Sequence, residues 1–92
     1  MRLCTIDGSA VTDRAALHAL LREGLKLPEW YGNNLDAAHD CLTALTGDTI
    51  LTVTHAAALR EALGRYGDTF LGMLRDCAGE NPHLRVVISE AL

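Results

Sequence analysis

Three short runs rich in aliphatic and β-branched residues, Arg2 to Ile6, Thr49 to Val53 and Leu84 to Ser89, constrain this chain more than any other feature. Each has the length and composition of a strand, and the last carries Val86, Val87 and Ile88 without interruption. Between consecutive runs lie stretches of helical periodicity long enough for two helices each. Strands separated by helices point to right-handed crossovers and a parallel sheet. A chain of 92 residues has room for one core and no second module. The expectation is a single α/β domain over residues 1–92, with a three-stranded parallel sheet packed with about four helices.

Local punctuation predicts the helices. The first starts from a cap at Thr12 or Asp13, places Leu17, Leu20 and Leu21 on one face and stops at Gly24. The second starts at Asn33 or Asn34. After the central strand, Thr54 is the expected cap of a helix that carries Leu59 and Leu63 and ends at Gly64. Asp68 is the expected cap of the next, with Leu71, Leu74 and Ala78 facing inward and Gly79 at its end; Gly79 to His83 then turns into the last strand.

Charge narrows the partners. A formal net charge of -4 argues against direct contact with nucleic acid, which needs a basic stripe to displace counterions, and favours a cationic partner. No run of about 18 apolar residues predicts a membrane span, and no export signal is expected at Met1 to Ala10. Cys4, Cys41 and Cys77 form an odd set without C-x-x-C spacing, so the expectation is reduced, buried thiols in a cytoplasmic protein, with no metal and no cofactor. His18, His55 and His83 make no ligand set by spacing.

The segment from Leu27 to Thr43 carries the chemistry. Pro28 and Gly32 punctuate a rigid loop holding Trp30 and Tyr31, and Asn33 or Asn34 is placed to accept from an orphan amide of the helix that follows. At roughly 100° per residue, Leu35, Ala38, Leu42 and Leu45 share one face, while Asp36, His39, Asp40 and Thr43 share the opposite one. Like charges at i and i+4 cost roughly 0.2–0.5 kcal/mol, partly offset for Asp36 by the positive end of the helix dipole. From spacing alone, two readings stand for these carboxylates: an ordinary solvated face, or a surface awaiting a cation. Trp30 likewise either seals the core beneath the loop or meets a partner.

The Pro-Glu-aromatic-Tyr-Gly loop, followed by Asn34-Leu35-Asp36-Ala37 and Asp40-Cys41-Leu42-Thr43, resembles the barstar family, small intracellular inhibitors of guanyl-specific microbial ribonucleases. The strand and helix order extends the resemblance across nearly the whole chain. It implies that the loop and second helix enter the enzyme's active site, where acidic side chains take the place of substrate phosphates. On that resemblance Trp30 stands at an aromatic contact position, and Gly32 and Asn34 at loop contacts. Asp36 stands where a carboxylate faces enzyme arginines, Asp40 at the central carboxylate, and Asp76 at a peripheral acidic contact on the fourth helix. His39 and Leu45 replace aromatics of the family pattern. The resemblance implies a non-enzyme, monomeric when free, with an extracellular-type microbial ribonuclease as partner.

Two other functions compete. One is an immunity or regulatory protein of the same fold directed at a toxin that is not a ribonuclease, since any cationic active site complements the acidic helix. The other is a hydrolase using Asp36, His39 and Asp40, weakened because all three lie on one convex helix with no phosphate loop or nucleophile elbow. Cys41 as a nucleophile is disfavoured: its neighbours on a helix project in diverging directions.

Overall fold

The computed structural model describes residues 1–90. The strands β1 (Arg2–Asp7), β2 (Thr49–Thr54) and β3 (Leu84–Ile88) pair in parallel in the order β1-β2-β3. The expected strand ends hold to within one residue. Between β1 and β2 run α1 (Arg14–Leu25) and α2 (Leu35–Thr43); between β2 and β3 run α3 (Ala56–Leu63) and α4 (Arg65–Glu80). A short 3-10 turn (Gly8–Ala10) follows β1.

Adjacent strands joined in sequence order by right-handed crossovers send both crossovers over the same face. Burial follows that geometry. Cys4 and Ile6, Leu51 and Val53, and Leu84 point into the core against Leu17, Leu21, Phe70, Leu71 and Leu74. The alternate residues look the other way, and Leu3 remains 70% exposed. Parallel sheets are usually covered on both faces, so a bare face on this one is a consequence of having only three strands in sequence order.

Four local expectations are overturned, each for a tertiary reason. Gly24 lies inside α1, and the left-handed residue that ends the helix is Lys26, at φ 52°. A Cβ on Gly24 would collide with the Cys4 sulfur, so the missing side chain lets α1 approach β1. Asp68 does not cap α4: Gly64, at φ 59°, both ends α3 and begins α4, and Asp68 in the first turn accepts instead from Arg60 Nε of α3 at 3.0 Å. Thr54 does not cap α3 either. That place belongs to His55, in left-handed backbone at φ 53° with no side-chain cap bond, because β2 must turn abruptly into the helix. Finally, α4 runs past Gly79 to Glu80, with Cys77 buried on its inner face and Ala78 only half-buried. Cys41 also departs from expectation, being partly exposed where Cys4 and Cys77 are buried.

The Gly24 contact makes a prediction. Ala gains about 1 kcal/mol over Gly in a helix, but overpacking costs roughly 1–3 kcal/mol. Gly24→Ala is expected to lose about 1 kcal/mol in urea unfolding, and the loss should vanish in a Cys4→Ala background. A loss that persists there removes the contact as its cause.

Candidate functional site

The loop between α1 and α2 is held at both ends and in the middle. At its start, Arg2 donates to Leu25 O at 2.6 Å, taking an orphan carbonyl at the end of α1. In the middle, the Tyr31 amide donates to Pro28 O at 2.9 Å, and the Tyr31 ring is 4% exposed. At its end, Asn33 sits in left-handed backbone at φ 53°, and Asn34 is the N-cap of α2. Asn34 Oδ1 accepts from Ala37 N at 2.8 Å while its Nδ2 donates to Gly32 O at 3.1 Å. The two asparagines therefore split the work that the sequence assigned to either one.

Burying Tyr31 throws its neighbour outward: Trp30 is 80% exposed. The core-sealing role falls to Tyr31 and not to Trp30. Trp30, Gly32 and Asp40 border one groove of about 580 Å³, whose apolar walls include Leu27, Pro28, Cys41 and Leu45. Asn34 and Asp36 border a second hollow of about 310 Å³ with Arg14 and Tyr66. Asp36, in the first turn of α2, and Asp40, one turn later, are both exposed on the outer face, with Asp40 at 86%. On the inner face Ala38 and Leu42 are fully buried, whereas Leu35 and Leu45 are half-buried.

His39 does not stand free beside the aspartates. Its Nε2 lies 3.1 Å from Glu80 Oε2 of α4, and its Nδ1 lies 3.9 Å from Asp40 Oδ1. Asp76 is exposed on α4 one turn before Glu80, so α4 adds a second row of carboxylates to the row on α2. Glu80 is the acidic residue that the sequence reading missed. Its i+4 spacing from Asp76 was the available signal, hidden because the helix was expected to stop at Gly79.

Burial, then the negative charge of Asp40, pushes the Cys41 thiol up from its ordinary value. A thiol held protonated is a poor nucleophile. The face thus presents carboxylates, an exposed indole and a protonated thiol around an open groove, an arrangement suited to contact with a partner.

The family model described as Barstar (barnase inhibitor) matches residues 1–89. The chain belongs to the barstar family. A Bacillus subtilis (strain 168) protein named "Putative ribonuclease inhibitor YrdF" is 33% identical over 81 residues, covering 87% of this chain and 89% of that protein. Membership in the barstar family agrees with the parallel sheet and four helices described above. No helix among the described residues is long and apolar enough to cross a membrane.

Proposed function

We propose that this chain is a ribonuclease inhibitor that acts by occupation, its loop and α2 filling the cationic active site of a guanyl-specific microbial ribonuclease. The observation that carries the reading is the pairing of an 80%-exposed Trp30 with the carboxylates of Asp36 and Asp40 on a surface braced by Asn34 and Tyr31. A large exposed aromatic and two like charges on adjacent turns contribute little to the free protein. Against a cationic partner both become favourable, through burial of the indole and charge-assisted hydrogen bonds to the carboxylates.

In this reading Asp40 meets the centre of the cationic cluster and Asp36 its arginines. Trp30 packs on the enzyme beside Asp40, and Gly32 and Asn34 approach through the loop. His39 contributes an imidazole edge braced by Glu80, while Asp76 acts at the rim, speeding encounter. The family membership and the relative's name support the ribonuclease class of target. The protein itself performs no catalysis in this reading and carries no cofactor, and it works inside the cell.

The test is a titration of the purified chain into RNA-cleavage assays of several guanyl-specific microbial ribonucleases, one of them from the source organism. Activity is expected to fall linearly and vanish at one equivalent. If every enzyme keeps its activity at equimolar addition, or if the chain alone cleaves RNA, the proposal is wrong.

A further inference from the structure

We propose that Tyr66 of α4 is a positioning residue for the contact loop, acting on Tyr31 through the buried imidazole of His18. The loop joins the body at its α1 end, where Arg2 donates to Leu25 O and Leu27 N to Arg22 O, while its bonds at Pro28, Gly32 and Asn34 are local. Beyond that end, among the described residues, its side-chain attachment to the body of the fold runs through one relay. Tyr31 Oη lies 2.7 Å from His18 Nδ1, and His18 Nε2 lies 2.6 Å from Tyr66 Oη. The rings also pack, His18 against Tyr31 at 5.7 Å and against Tyr66 at 6.0 Å between centroids. The Arg14 guanidinium of α1 lies 4.2 Å over the Tyr66 ring and closes the chain from outside.

Hydrogen-bond satisfaction assigns the direction of this relay. Among the described residues, the buried Tyr31 hydroxyl meets no acceptor other than His18 Nδ1, so it donates there. A neutral imidazole that accepts at Nδ1 carries its proton at Nε2 and donates to Tyr66 Oη. Tyr66 is only half-buried, which leaves its own hydroxyl hydrogen free to turn to solvent while its oxygen accepts. The tautomer that gives the loop tyrosine an acceptor is thus the one that Tyr66 supports, by accepting the proton that His18 carries at Nε2. Burial acts in the same sense on both buried members, lowering the His18 pKa from its ordinary value and raising that of Tyr31.

Two consequences follow. Removing the Tyr66 hydroxyl leaves Nε2–H without a buried acceptor and releases His18 to the other tautomer, in which Nδ1–H faces Tyr31 and displaces the tyrosine's own hydrogen. Acid does the same by another route, because a doubly protonated imidazole donates at both nitrogens. The groups facing His18 are Tyr31 from the loop and Tyr66 from α4, with Arg14 of α1 beyond Tyr66 and no carboxylate within bonding distance among the described residues to hold the charged form. The folded pKa lies below the unfolded one, so the stability that His18 contributes is whole above pH ~6.5 and declines as pH falls.

That this loop is a partner-contact loop rests on the proposed function; the relay does not. The experiment is nitrogen-detected NMR of the imidazole of His18 together with amide hydrogen exchange at Tyr31, in the native chain, Tyr66→Phe and Tyr31→Phe. Native His18 should show a bare Nδ1 and a protonated Nε2. Tyr66→Phe, which keeps the ring under Arg14, should shift the tautomer toward Nδ1–H and speed Tyr31 amide exchange about tenfold, the scale of one buried polar group losing its partner. Lowering the pH of the native chain should speed that exchange in step with His18 protonation, a readout that survives should the variant fold poorly. An unchanged tautomer with unchanged exchange in Tyr66→Phe, or exchange that ignores His18 protonation, overturns the proposal. Inhibition assays on the same samples separate the two ideas: tautomer and exchange changes without any inhibition sink the function and leave the relay, and inhibition without them does the reverse.

Discussion

Asp40→Ala is expected to weaken the complex with the target ribonuclease by roughly 30- to 5,000-fold, the range that corresponds to about 2–5 kcal/mol for truncating one member of a buried charge pair. That scale was calibrated partly on complexes of the barstar family and is not a value derived for this residue. The direction rests on position. Asp40 borders the same groove as Trp30 and Gly32, so a partner covering the groove strips water from the carboxylate and raises the strength of every bond to it. Asp76 is exposed on α4; in the proposed complex it stays solvated at the rim, and Asp76→Ala is expected to cost tenths to about 1 kcal/mol, chiefly as slower association. Because Asp40 is 86% exposed in the free chain, its replacement should leave folding stability within about 0.5 kcal/mol. Calorimetry and stopped-flow mixing on both variants decide the matter: equal losses of affinity would put the interface centre elsewhere.

Asn81→Ala should be the most damaging single change to the scaffold under α2. Asn81 is 4% exposed, and its Nδ2 donates to Leu42 O at 2.9 Å, a carbonyl that the end of α2 leaves without an intrahelical partner, and to Leu45 O at 3.0 Å just beyond the helix. Its Oδ1 accepts from His83 N at 2.9 Å, and its amide donates to Cys77 O at 2.8 Å. One side chain thus ties the end of α2, the end of α4 and the entry to β3. Alanine keeps the backbone bond and orphans the other groups, at roughly 1–3 kcal/mol for each that water does not reach, so a total of about 2–4 kcal/mol is expected. For a domain of this size that is a drop of roughly 10–25 °C in Tm, out of a total stability of about 5–15 kcal/mol. Thermal and urea unfolding measure it, with Asn81→Asp as the control that keeps the acceptor and loses the amide donors. A loss below about 0.5 kcal/mol for alanine would show that solvent satisfies these groups.

The proposed contact surface was partly legible in the linear chain. The Asp36 and Asp40 face follows from helical periodicity, and the capping role of Asn34 follows from its short side chain beside a helical run. Trp30 was not legible. Two adjacent aromatics compete for one buried position, and the hydroxyl that can reach His18 sends Tyr31 inward and leaves the indole outside. His39 looked like a free member of the acidic face because its partner, Glu80, lay beyond the helix end that Gly79 suggested.

By itself the sequence determined the strands, their parallel pairing, the number of helices and the acidic face of α2. These rest on period, on local capping and on connection length, all of which act within a few residues of where they are written. Only the tertiary structure decided where α1 ends, where α4 begins and ends, which aromatic is buried, and which polar groups meet. Gly24 leaves room for Cys4 inside a helix it was expected to end, Tyr31 is anchored because of His18 and Tyr66, and α2 is closed by Asn81 from the far end of α4. Apolar burial is non-directional and accepts any partner of suitable shape, so its pattern shows along the chain, whereas a hydrogen bond or a close backbone approach is set by the one neighbour that packing delivers.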